Sequence, residues 1–387
     1  MRILHAAVGA AIVLGVLTGC ARPLIPASVE NPGRTQAPPG KPLAEPAKPV
    51  LGVDLYAKYN YPLSKVNTYG RRDLRYIKKV LHSDRVSISW NLFAPFNHSD
   101  QVVAARKATV TGSSRTGGVQ GGSTLTPANV ALLTRIAIAD GMMVQYRPLI
   151  KIEGPSQWEG YVAPANIATW FRSYFRAMLP YLRVAQRYRI AEFVVGTELA
   201  DLEQYAPASQ WRAFLSQVSD VYHGRISYAA WGGHYYKTSA RKLPRVADMG
   251  LTTYPDIHFR SVNCPAIPTV WQLVGAWRSV FKQVPAKLRA RTSIDELGIP
   301  AGCGAWNAPW NWNKGYVPNQ QVQARWFTAA CIVVKQLDMR AIYFWNVNLA
   351  NDPYHPPPKS LPSFEGKLGA RAIAHCPAIL AAAPKRR

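Results

Sequence analysis

Two glutamates stand where short β-rich runs stop. Glu198 follows Phe193-Val194-Val195-Gly196-Thr197, and Glu296 follows "RTSID". A carboxylate is costly to bury unless it is paired or used, so each position calls for a partner or a reaction. Two carboxylates facing each other across a cleft can divide the breaking of a glycosidic bond. One gives a proton to the departing oxygen, and the other stays ionised to attack the anomeric carbon or to activate water. Asp54, Tyr56, Asn91, Trp231 and His234 are candidate sugar contacts around such a pair, and Arg147 is placed to steady a carboxylate through charge-assisted bonds. Trp306, Trp310 and Trp312 follow Glu296 and are candidates either to extend a cleft or to pack a loop. The chain has 12 Trp, a residue that lines carbohydrate clefts as readily as it fills cores. No His or Cys pair has zinc-site spacing, so neither a metal nor another cofactor is expected.

The elements that must position these groups recur along the chain. "VLGVDLY" begins at Val50, "RVSISWNLF" at Arg85, "MMVQYRPLI" at Met142 and "AEFVVGTE" at Ala191. "RISYAAW" begins at Arg225, "ADMGLTTY" at Ala247, "RTSIDELG" at Arg291 and "AIYFWNVN" at Ala341. Most read as near-continuous apolar runs, the pattern of strands covered on both faces. Helical patterns separate them. Thr126, Pro127 and Gly141 mark one helix by its cap, first turn and stop, and Pro180 is expected to kink or break another. The crossover from His234 to Val246 is short, and the Gly/Ser/Thr-rich stretch from Asn97 to Leu125 reads as a long loop or hairpin. The alternation predicts an α/β fold: one (β/α)₈ TIM barrel over residues 50–380, its strand ends gathered at a single mouth. A doubly wound sheet would want a Gly-rich phosphate turn after the first strand, and "GVDLYAKYNYP" is not one.

The amino terminus reads differently. Residues 1–20 have the form of a lipoprotein signal whose "LTGC" ends on a lipidated Cys20, and residues 21–49 form a Pro-rich, disordered tether. The expected location is extracytoplasmic, on a periplasmic or cell-surface membrane held through that lipid. The formal charge of +25 is scattered along the chain and accompanies no nucleic-acid motif. Nucleic acid is therefore not an expected partner, whereas anionic lipid head groups or envelope polymers are candidates.

The segments "FVVGTELADLEQY", "QWRAFLSQVSDVYHGRISYAA", "DELGIP…APWNW", "YFWNVN" and "SFEGKLGARAI" resemble glycoside hydrolase family 113 and its close relatives in clan A of the retaining glycosidases. The similarity runs over essentially the whole barrel. It implies Glu198 as general acid/base, Glu296 as nucleophile, retention at the anomeric centre and a β-mannan-type polysaccharide or oligosaccharide substrate. By the same resemblance Tyr254 hydrogen-bonds the nucleophile, and Trp345 is the platform beneath the reacting sugar. Thr197 stands where the clan usually has an Asn that bonds the sugar 2-hydroxyl; a hydroxyl is shorter and has one donor. Asp295 should point the opposite way from Glu296 along its strand. An inactive glycan-binding lipoprotein on the same barrel is the alternative. Four cysteines besides Cys20 allow three pairings. Barrel order favours Cys264–Cys303, in the loops after strands 6 and 7, and Cys331–Cys376, on the helix before strand 8 and the last helix.

Overall fold

The computed structural model describes residues 49–104, 124–153, 158–237, 244–259, 264, 266–282, 284–312, 314–356 and 361–382, with His234, Tyr236 and Lys237 by backbone alone. The signal, the tether, Cys20 and most of the Asn97–Leu125 stretch lie outside the described residues. Eight strands close a barrel in chain order: β1 (Val50–Ala57), β2 (Arg85–Ala94), β3 (Met143–Ile152), β4 (Glu192–Thr197), β5 (Arg225–Trp231), β6 (Asp248–Thr252), β7 (Thr292–Glu296) and β8 (Ala341–Asn348). Every neighbouring pair is parallel, including β1 with β8. The crossovers carry α1 (Leu63–Lys79), α2 (Pro127–Ala139), α3 (Ile167–Tyr188), α4 (Ala200–Tyr205), α5 (Ala208–Ser219), α6 (Gly232–Lys237), α7 (Val270–Phe281), α8 (Ala286–Arg289), α9 (Gln320–Gln336) and α10 (Leu368–Ala381). The short fifth crossover thus holds a six-residue helix, α6. Among the described residues no helix is long and apolar enough to cross a membrane.

The strands alternate more than the sequence reading allowed. Their outer faces are apolar and meet the helices: Trp90 of β2 stacks on Tyr181 of α3 at 4.7 Å, and Phe344 of β8 meets Phe327 of α9 at 4.9 Å. Their inner faces are polar or small, with Asp54, Ser87, Ser89, Gln145, Arg147, Glu192, Ser227, Ser293 and Asp295 all buried. Because both faces are dry, burial hides a period of two that only the residue types betray. The interior is close-packed around these groups: a Cβ on Gly250 would stand 1.9 Å from Oδ2 of Asp295.

Half of the tryptophans, Trp90, Trp170, Trp211, Trp277, Trp306 and Trp326, are among the largest wholly buried side chains. Trp306 therefore packs the core and is not a cleft residue. Thr126 caps α2 by accepting from Asn129 N, with Pro127 following it. Pro180 does not break α3, which runs through it for 22 residues. One lost backbone bond is outweighed there by the buried Trp170, Tyr174, Met178 and Tyr181 on the core face. The cysteine pairs are Cys264–Cys303 and Cys331–Cys376, with Cα atoms 5.8 and 5.7 Å apart.

Candidate active site

Glu296 is the last residue of β7 and pairs in register with Thr252, the last of β6. Its Oε2 accepts from Arg147 Nη1 at 2.6 Å, and its Oε1 accepts from the Tyr254 hydroxyl at 2.7 Å. Both bonds fix where the carboxylate sits and which way its oxygens face. Burial, followed by the Glu296 charge, holds the Tyr254 hydroxyl well above the usual phenol range, so it remains a donor. Arg147 is wholly buried and shared: its Nη2 lies 3.1 Å from Oδ1 of Asp54. Its guanidinium also lies over the Trp345 ring, 4.9 Å from the centroid. Neither Arg147 nor Trp345 stands at the end of its strand; β3 continues to Ile152 and β8 to Asn348.

Glu198 follows β4 directly and has φ = 50°, an uncommon region for a residue with a side chain. Such a conformation costs on the order of 1–3 kcal/mol. It is held by Glu198 N donating to Ala229 O at 2.9 Å and Leu199 N donating to the Tyr228 hydroxyl at 3.3 Å. The carboxylate accepts from Thr252 Oγ1 on one oxygen and from Trp158 Nε1 on the other. Thr252 thus stands between the two glutamates, paired with one in the sheet and bonded to the other. Burial, then the charge of Glu296, raises the Glu198 carboxyl to about 7, against which the Thr252 and Trp158 bonds work. The two donors differ in kind. An indole N–H can only donate, whereas the Thr252 hydroxyl, 3.4 Å from the Ala230 carbonyl, can also turn and accept.

The other candidates divide by exposure. Asp54 and Arg147 are wholly buried, so they lie behind Glu296 and are not sugar contacts in this state. Burial raises Asp54 to about 7 despite the Arg147 charge beside it. Thr197 is also buried, and its hydroxyl has no hydrogen-bond partner among the described residues. Tyr56 accepts from Asn91 Nδ2 at 2.9 Å and leans on Trp345 with ring centroids 4.9 Å apart. Trp231 is half-buried against Trp158 at 5.3 Å. Trp310 is exposed and donates to Asp256 at 3.2 Å. Trp312 sets its ring edge-on to Tyr254 at 5.8 Å. His234 lies in α6, its side chain outside the described residues.

Asp295 does not face the helices. It takes a hydrogen bond from Ser293 Oγ at 2.5 Å inside the barrel, beneath Glu296. A register shift between Leu251 and Thr252 on β6 breaks strict alternation beside this strand end and lets consecutive residues serve the interior and the mouth.

The sequence reading missed three groups at the mouth. Trp158 and Thr252 grip Glu198. Glu159 also feels the Glu198 charge, and burial followed by that charge raises its carboxyl well above the ordinary range. The loop after β3 that carries "WEGY" supplied the only sequence signal for two of them: an aromatic and an acid side by side.

Residues 96–353 match the model of Glycoside Hydrolase Family 113. No curated protein sequence matches the chain. Among solved structures, a complex of a family 113 β-1,4-mannanase superposes with a TM-score of 0.66 at 16% identity, covering 84% of this chain and 97% of that one. The family 113 β-mannanase of Alicyclobacillus acidocaldarius gives 0.63 at 16% identity, with 84% and 97% coverage. An exo-β-1,4-mannosidase from Opitutaceae bacterium strain TAV5 gives 0.53 at 12% identity, covering 86% of this chain and 60% of that one. At these identities the structural likeness speaks for the barrel, while the family match extends over most of the folded chain. This chain is a glycoside hydrolase belonging to family 113.

Proposed function

We propose that the chain hydrolyses β-linked, mannan-type glycans with retention, Glu296 acting as nucleophile and Glu198 as acid and then base. The observation that carries this reading is the unequal environment of two carboxyls flanking Thr252. Glu296 is held by a guanidinium and a phenol, while burial and then the Glu296 charge raise Glu198 to about 7, so that it can hold a proton near neutrality. In the first step a Glu296 oxygen bonds the anomeric carbon, the glycosidic C–O bond breaks, and the leaving oxygen takes the Glu198 proton. Esterification removes the charge that had raised Glu198, so its acidity increases as it becomes a base. In the second step water gives a proton to Glu198 and its oxygen to the anomeric carbon, releasing Glu296. Tyr254 and Arg147 orient the nucleophile. The related mannanases support the choice of substrate class. The "LTGC" motif supports export and anchoring at Cys20, and the two cysteine pairs suit an oxidising compartment.

Digestion of manno- and gluco-configured polysaccharides, with proton NMR of the first product anomer, tests this reading. Retention is expected. Glu198→Ala should keep slow turnover of activated aryl glycosides that azide accelerates, while Glu296→Ala should have none. Glycan binding without any product would favour the inactive binding module, and inverted product would remove Glu296 as nucleophile.

A further inference from the structure

On the short helix α4, just past Glu198, a further carboxylate is buried. Glu203 is 2% exposed, and its Oε1 accepts from the Tyr228 hydroxyl at 2.9 Å and from Trp231 N at 3.3 Å. Neither donor belongs to the reacting pair, yet each leads back to Glu198. The Tyr228 oxygen accepts in turn from Leu199 N, the backbone amide directly after Glu198 and its φ of 50°. Trp231 sets its ring edge-on to Trp158, centroids 5.3 Å apart, and Trp158 Nε1 donates to Oε2 of Glu198. One route thus ends on the backbone of the acid and the other on its carboxyl oxygen.

The Tyr228 ring is fixed in place. A Cβ on Gly196 would stand 2.7 Å from its Cε2, and Trp211 meets it edge-on at 5.4 Å. What stays free is the rotation of its O–H. A phenol has a single proton; once that proton is given to Glu203, the oxygen lone pairs are left for Leu199 N. Without the carboxylate the proton can turn toward the amide, and the buried Leu199 N–H loses its acceptor. That loss would fall on a turn whose backbone is already unfavourable at Glu198. As mere filling a carboxylate is a poor choice, because an apolar side chain of its size packs a dry site at least as well. Such a side chain could hold neither the hydroxyl nor the Trp231 amide. We infer that Glu203 is a positioning residue for the acid/base. Through Tyr228 it fixes the turn that aims Glu198, and through Trp231 it seats the indole that grips Oε2 of Glu198.

This inference rests on the hydrolase reading but can fail separately. The test compares kcat/KM for 2,4-dinitrophenyl and phenyl β-mannosides, with the gluco-configured pair in parallel. Dinitrophenolate departs without a proton, whereas phenolate needs one from Glu198, and kcat/KM reports formation of the glycosyl-enzyme alone. Glu203→Met should lower the phenyl value about ten- to a hundredfold, as a small displacement of a catalytic group does, and keep the dinitrophenyl value within about twofold. Tyr228→Phe should do the same, and it decides the matter if Glu203→Met does not fold. A merely structural anion does not distinguish leaving groups. Equal losses on both substrates, or an unchanged phenyl value, would therefore overturn the inference, while wild-type turnover keeps the hydrolase. Were no glycoside cleaved by the wild type, the hydrolase reading would fall. The indole N–H resonance of Trp158, assigned with Trp158→Phe, would then decide the role of Glu203: a shift in Glu203→Met like that in Glu198→Gln retains it, and an unmoved resonance removes it.

Discussion

The two ends of this barrel bury charge in opposite ways. At the N-terminal end Arg340 donates from Nη1 and Nη2 to the two oxygens of Glu192, each at 2.8 Å. Burial alone would raise Glu192, but the Arg340 charge and bonds outweigh it and hold the carboxyl below its usual range. At the mouth a single guanidinium, Arg147, serves both Asp54 and Glu296. Among the described residues no cation pairs with Glu198, whose recorded partners are a hydroxyl and an indole. Burial is similar at the two ends, and the protonation states differ. The ratio of cations to carboxylates therefore decides whether a buried acid is a structural anion or a stored proton.

Breaking the lower pair should have the largest effect on stability. Arg340→Met leaves Glu192 buried without its bidentate partner and is expected to cost about 3–5 kcal/mol in urea unfolding, with activity per folded molecule near wild type. A loss below about 1 kcal/mol would make the lower pair no more structural than a surface bridge. Arg147→Met should show the reverse balance. Asp54, already raised to about 7, can take up a proton and limit the damage to stability. Glu296 loses its charge-assisted donor, so kcat should fall by roughly 10²–10³.

The ends also predict opposite pH slopes of stability. Glu198 and Asp54 have raised carboxyls, so the folded state holds protons that the unfolded chain has released. Their contribution is full below the unfolded values near 4 and is lost as pH rises through about 7. Glu192 behaves the other way, contributing above its unfolded value and failing as pH falls through its lowered one. Unfolding free energies from pH 4.5 to 7.5 should show the first slope, and Glu198→Gln combined with Asp54→Asn should flatten it. The smallest effect is expected from Thr252→Val. Removing a donor to the Glu198 anion should move the alkaline limb of kcat/KM to higher pH, by up to about one pH unit. Thr252→Ser should restore it, and an unmoved limb in both variants would leave Thr252 with only a packing role.

How much of this was legible depended on the range of each interaction. The barrel followed from local signals, because eight β-rich runs and the caps between them need only neighbours in sequence. Thr126 and Pro127 at the start of α2 are an example. Glu198 and Glu296 were legible for the same reason: each carboxylate ends a run that would otherwise stop on something cheaper to bury. The cysteine pairs followed from barrel order. The inner polar layer was harder to see, since Ser, Gln and Arg inside β2 and β3 sit between apolar residues that face the helices. Trp158 escaped because its loop reaches Glu198 across 40 positions, and nothing in the local pattern marks such a contact.

Residue order alone was thus enough for the number of strands, the ends at which acids stand and which cysteines are neighbours, because local periodicity and strand count specify these. Which acid holds a proton was settled only when the chain closed. Closure brings Arg147 of β3 to Glu296 of β7, 149 residues away, and brings no cation among the described residues to Glu198. Protonation follows the field of groups that folding gathers, and that field exists only once the strands share an interior.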